Sequence, residues 1–132
     1  MSFKSFLFKN INVNVNDDAF DGKIDPTQYD KDTNTIIVKS DYDIKNDPEG
    51  WMQHEKMHHL LNLKNVKDDG KIYPKNNIEK FAYISQFKLL KKRGHSLKDI
   101  TNIKKFPTLA TKFSKYNGEY APTLIEYWKL AK

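Results

Sequence analysis

His54-Glu55-Lys56-Met57-His58 places two imidazoles four residues apart with a carboxylate next to the first. On a helix, four residues are slightly more than one turn, so His54 and His58 project from one face about 6 Å apart and can grip one ion. Glu55 lies about 100° around the helix from His54, close enough to reach a water on that ion without ligating it. The chemistry on offer is metal-assisted hydrolysis, with two ligands and a general base in one short segment. With 4 His in 132 residues, such a pattern arises by chance in about one sequence in two hundred.

A catalytic zinc usually has three protein ligands and an open position, so a third donor must come from another element. Between His58 and Tyr116 the only Glu is Glu79. It falls in the first turn of a second predicted helix, with Ala82 and Gln86 at i+3 and i+7 on its face, and the small Ala82 lets the two helices approach closely. Glu79 is therefore the candidate third ligand. Rivals are His59, which points about 100° away from His58, His95, and Asp68 and Asp69, which precede Gly70 and read as turn residues. With no cysteine in the chain, thiolate ligands and thiol nucleophiles are excluded and any metal must use His, Asp or Glu.

The elements that must position these groups follow from patterning. Asn10 to Asn16 alternates Asn with Ile11, Val13 and Val15, the pattern of a half-buried strand, and Thr35 to Lys39 is a second, β-branched strand. Phe3, Phe6, Leu7 and Phe8 form an apolar patch of unassigned structure ahead of the first strand, and Asp17 to Asn34 reads as loop with at most a short strand near Ile24. Asp47-Pro48-Glu49 opens a helix over 48–63 that carries the motif. Asn76 or Asn77 caps a second helix ending at Gly94, with Ile78, Phe81, Ala82, Ser85 and Leu89 on its packing side. Ser96 and Asp99 form a capping box for a third helix over 97–105, and Pro107 and Pro122 open two more. Strands first and helices after predict a single α+β domain over residues 1–132, with a small, mainly antiparallel or mixed N-terminal sheet.

This combination resembles a zincin metallopeptidase of the gluzincin type, in which HExxH is followed on the next helix by a Glu ligand. The correspondence covers residues 35–93, with His54, Glu55, His58 and Glu79 at the matching positions, and Glu79-x-x-Ala82 is similar to the step in small bacterial and phage zincins. The chain departs from that pattern at Met57, where Gly or Ala is common. The resemblance implies one Zn2+ on His54, His58 and Glu79, water activated by that ion, and Glu55 as the base that takes its proton and returns it to the leaving amine. It also implies that Ile36, Ile37 and Val38 form the edge strand pairing with an extended peptide or protein substrate. Tyr73, Tyr83 and His95 are oxyanion-donor candidates, each also explained by packing or surface placement. The alternative is a zincin-like binding or structural component, for example of a phage or other assembly, in which the metal does no catalysis.

Charge is uneven along the chain. Residues 1–63 carry a net −4 and residues 64–132 a net +10. The basic half suits an acidic partner, with Lys88, Lys91, Lys92, Arg93, Lys104 and Lys105 as a candidate anion-binding set. Because 22 of the 23 basic residues are Lys, the composition argues against specific nucleic-acid readout, for which Arg is the usual reader. No apolar run reaches a membrane span and the start lacks a signal-peptide core, so a cytoplasmic or virion-associated protein is expected. Walker loops and GxSxG elbows are absent, which leaves phosphoryl transfer and serine hydrolysis without support.

Overall fold

The computed structural model describes residues 11–132, so the Phe3, Phe6, Leu7 and Phe8 patch lies outside the described residues. Three short strands, β1 (Asn12–Val15), β2 (Thr27–Asp30) and β3 (Thr35–Val38), precede five helices, α1 (Trp51–Leu63), α2 (Asn77–Lys92), α3 (Leu97–Ile100), α4 (Pro107–Gly118) and α5 (Ala121–Leu130). The fold is α+β, with a small mixed sheet ahead of the helices. No helix among the described residues is long and apolar enough to cross a membrane.

The sheet order is β1-β3-β2, β1 running parallel and β2 antiparallel to β3. This corrects two expectations. The strand carrying Ile36, Ile37 and Val38 is central rather than at the edge, because β1 crosses to its far side and closes the edge that a substrate would need. The segment read as loop contains β2 and a 3₁₀ turn at Asp17–Phe20. Thr-Gln-Tyr-Asp lacks the β-branched run that marks a strand, and the hairpin with β3 builds β2 instead. Asn34 takes the left-handed turn position, φ 52°, and accepts the Tyr29 hydroxyl on its side-chain oxygen.

Ile36 and Val38 point inward and are fully buried with Met52 of α1. By contrast, Val13 and Val15 are 47% and 53% exposed. The half-buried reading of β1 therefore fails for them, since α1 packs mainly on β2 and β3.

Helix α1 begins three residues later than predicted. Its N-cap is Gly50, with φ 78°, and Asp47 caps from farther back, its carboxylate accepting Met52 N–H at 2.9 Å and Gln53 N–H at 3.1 Å. A β-carbon at Gly50 would also lie 3.0 Å from Gln86 Cγ of α2. Glycine is thus needed both for its backbone and for the close approach of the two helices. Asn76 caps α2, its side chain accepting Glu79 N–H at 2.8 Å. The buried face of α2 is Ala82, Tyr83, Gln86, Phe87 and Leu90, whereas Phe81 is 45% exposed. The predicted stripe was rotated toward Phe81 because Tyr83 and Gln86 carry polar atoms that local pairing satisfies.

Ser96 and Asp99 form the predicted capping box, but α3 ends at Ile100. Behind α2, the main core joins Trp51, Tyr83, Phe87, Leu90, Leu109 and Trp128. The N-terminus of α4 has no side-chain cap of its own. The buried Glu49 carboxylate supplies one from outside, accepting Leu109 N–H at 2.7 Å and Thr108 N–H at 3.3 Å.

Candidate metal centre

The pairing of α1 with α2 builds the centre. Ala82 is fully buried between them, and Gln53 Nε2 donates to Ser85 Oγ at 2.8 Å. One turn of α1 brings His54 and His58 together, ring centroids 5.1 Å apart. The first turn of α2 brings Glu79 to both. Its Oε1 lies 3.1 Å from His54 Nε2 and its Oε2 lies 2.7 Å from His58 Nε2. One donor atom from each of the three lies within 4.8 Å of the others, a cluster that can hold a metal ion. Tetrahedral ligands at zinc distances sit about 3.4 Å apart, which lies between the 2.7 Å closest contact and the 4.8 Å span of the three donor atoms.

The chemistry of the donors fits as well. Gln86, fully buried on α2, donates through Nε2 to the Glu49 carbonyl at 2.9 Å and presents Oε1 to His54 Nδ1 at 2.8 Å. Since the Glu49 carbonyl can only accept, the amide orientation is fixed and His54 Nδ1 must carry a proton. The lone pair of His54 is thereby directed to Nε2, the atom facing Glu79. This is the outer hydrogen bond that orients a metal-binding imidazole.

Electrostatics keep the cluster ready for a cation. Burial alone would raise the Glu79 carboxyl, but hydrogen bonds from His54 and His58 and their charges hold it well below the usual carboxylate range. Burial alone would lower His54, yet Glu79 and Glu55 overcome this and raise it.

Glu55 is 5% exposed and does not join the ligand cluster. Its Oε2 accepts the Thr27 hydroxyl of β2 at 2.7 Å. Burial pushes its carboxyl up, opposed by His54, His58 and Thr27. A cleft of about 230 Å³ opens beside it, lined by Thr27, Gln28 and Tyr29 of β2, by His54, Glu55 and His58 of α1, and by Asp25, Trp51, Tyr73 and Glu79.

Among the described residues, the edge of the sheet on this side is β2. Lys39 N–H donates to the Pro26 carbonyl, which sets the parity of the β2–β3 ladder. The N–H and C=O groups of Gln28 and Asp30 then face β3, and those of Thr27 and Tyr29 point away from it, Thr27 being buried and Tyr29 half-buried.

The rival ligands lie elsewhere. His59 is buried against the sheet, with Nδ1 2.7 Å from the Tyr29 hydroxyl. Asp68 and Asp69 accept Gly70 and Lys71 N–H groups in tight turns. His95 lies 3.9 Å from Asp99 and packs on Phe106. Of the oxyanion-donor candidates, Tyr73 lines the cleft and Tyr83 is fully buried behind it. Trp51 and Trp128 both belong to the main core, and Trp51 also reaches the cleft wall.

Several of the basic residues proposed for anion binding hold the fold together. Lys91 Nζ donates to the Trp128 and Ala131 carbonyls, Arg93 to those of Asp47 and Asn46, and Lys105 pairs with Asp99. Sequence reasoning missed Thr27, whose strand carries no local signal. It placed Gln86 on the Glu79 face by spacing alone, with no sign that its amide holds His54.

No protein-family model, no curated protein and no solved structure matches this chain.

Proposed function

We propose that the protein is a zinc-dependent peptidase, acting on peptide bonds at the cleft between β2 and α1. The observation that carries this reading is the convergence of His54, His58 and Glu79 from two helices, with Glu55 beside them, outside the ligand set and held by Thr27. Two imidazoles and one carboxylate suit zinc, and the ion when bound supplies Lewis acidity that polarises a carbonyl and acidifies water. Burial raises the Glu55 carboxyl, the direction a general base needs, and Thr27 and the two histidines oppose that rise. Glu55 accepts a proton from the attacking water and returns it to the departing amine, so it ends the cycle as it began.

An extended substrate pairs its main chain with the outward N–H and C=O groups of Tyr29. This role, assigned from the sequence to Ile36, Ile37 and Val38, passes to β2. Tyr73, in the opposite part of the cleft wall, donates to the carbonyl oxygen as that oxygen gains charge. Burial and the nearby Asp25 charge push its phenol far above the ordinary value, so the proton stays on Tyr73 throughout.

The test is metal analysis of the purified protein with proteolysis by wild type and Glu55→Gln. Bound zinc, cleavage by wild type and loss of at least about a hundredfold in the variant with zinc retained are expected. Cleavage unaffected by the substitution sinks the reading. A chelator that lowers the melting temperature of a protein with no detectable cleavage would instead favour a structural metal in a binding component.

A further inference from the structure

Lys112, in the middle of α4, is only 5% exposed although it carries a charge. A buried ammonium needs partners, and two come from elements that line the cleft. Its Nζ donates to the Tyr73 hydroxyl oxygen at 3.0 Å and lies 3.0 Å from Asp25 Oδ1. It also stands 4.7 Å from the centre of the Tyr73 ring. On the other side, the hydroxyls of Tyr73 and Tyr83 are hydrogen-bonded to each other.

The direction of that bond follows from what each hydroxyl can reach. Among the described residues Tyr83 Oη has Tyr73 Oη as its hydrogen-bond partner, and Tyr83 is fully buried. Its proton therefore goes to Tyr73. With Lys112 donating to the same oxygen, both lone pairs of Tyr73 are engaged and its own proton must point to a third acceptor. Tyr73 lines the cleft beside Glu79, where a substrate carbonyl can be that acceptor. A phenol that receives two donors, one of them cationic, is polarised into a stronger donor itself.

We propose that Lys112 is a positioning residue: paired with Asp25 and assisted by Tyr83, it fixes the Tyr73 hydroxyl so that its proton is presented to the scissile carbonyl oxygen of a bound peptide. The inference rests on the peptidase reading for its use, although the network itself is independent of metal and substrate. No proton is transferred by Lys112. Its charge is balanced by Asp25, and its contribution is to the orientation of a hydrogen bond.

The test compares wild type with Lys112→Met, Lys112→Gln, Lys112→Arg and Tyr73→Phe, each labelled with ¹³C at the tyrosine Cζ. Tyr73→Phe assigns the Tyr73 resonance among the seven tyrosines. In metal-free protein, Lys112→Met is expected to displace the Tyr73 resonance more than any other, and Lys112→Arg to displace it less. In zinc-loaded protein, Lys112→Met is expected to lower kcat by about tenfold or more with KM changed less than about twofold, with zinc content intact. Added to Tyr73→Phe it should cause no further loss, because both remove one device.

An unmoved Tyr73 resonance, or losses that multiply in the double variant, overturns the proposal. Should Lys112→Met fail to fold, Lys112→Gln carries the same comparisons, because its amide is polar but neutral and one bond shorter. If wild type shows no cleavage, the peptidase reading fails, while the metal-free spectra still decide whether Lys112 holds Tyr73.

Discussion

Replacing Gln86 by Leu isolates the outer hydrogen bond of the centre without touching a ligand. Gln86 is fully buried and makes two bonds, from Nε2 to the Glu49 carbonyl at 2.9 Å and from Oε1 to His54 Nδ1 at 2.8 Å. Leucine is close in volume, so the packing change is small. What remains is a buried carbonyl and a buried ring N–H, each left unsatisfied at about 1–3 kcal/mol. The fold should lose about 2–6 kcal/mol, which for a chain of this size lowers the melting temperature by roughly 7–22 °C. The imidazole is then free to turn or to change tautomer, and loss of such an orienting bond costs about 10–100-fold in metal affinity. Competition with a chromophoric zinc chelator measures the affinity, and calorimetry of the metal-free chain measures the stability separately. Zinc affinity within about twofold of wild type would refute the view that Gln86 sets the tautomer and aim of His54. A loss of affinity in Gln86→Leu that Gln86→Glu partly restores supports it, because a carboxylate still accepts from Nδ1 although it can no longer donate to Glu49.

The remaining predictions concern the surroundings of the same cluster. In metal-free protein Glu79 is held below and His54 above its ordinary value. The first contribution is present above the unfolded carboxylate range and lost on acidification, and the second is present below the unfolded imidazole range and lost as pH rises through the folded value. Stability without metal should therefore peak in mild acid and fall toward alkaline pH, and zinc should remove most of that fall, as thermal melts from pH 4 to 9 would show. Thr27→Val removes the hydroxyl that donates to Glu55. It should shift the acid limb of the pH profile of kcat/KM upward, and an unshifted limb would separate Glu55 ionisation from catalysis. Gly50→Ala meets both a positive φ and a 3.0 Å approach to Gln86 Cγ, and should lose about 1–3 kcal/mol with a parallel drop in zinc affinity. Denaturant melts and the chelator competition would detect a stability change without the affinity change, which would argue against coupling between this turn and His54.

The residues read from the sequence as ligands share short-range logic. Helical spacing fixes which side chains of α1 face one way, and a first-turn Glu with Ala82 below it marks the face of α2 that approaches. The sheet obeys no such rule. Which strand lies at the edge depends on where β1 crosses, and a parallel crossing joins residues such as Val13 and Ile36 that are far apart in sequence. The packing stripe of α2 was illegible for another reason. Gln86 and Tyr83 count as polar or amphipathic by type, and they are buried only because Glu49, His54 and Tyr73 meet their polar atoms. Lys112 gives no signal at all, being one of 22 lysines and buried solely through partners from Asp25 and Tyr73.

Glu49 joins two parts of the molecule through separate atoms. Its carboxylate caps α4 and its carbonyl receives Gln86, two bonds away from His54. A fragment of residues 35–93 would contain all three candidate ligands, His54, His58 and Glu79, yet Glu49 in it would have lost the amides of Thr108 and Leu109. The carboxylate would turn to solvent and draw its own peptide carbonyl out of line with Gln86. Attempts to trim this protein to its motif should therefore fail at the C-terminal cut, and a transplanted motif would need a substitute cap for an absent helix before it could hold an ion.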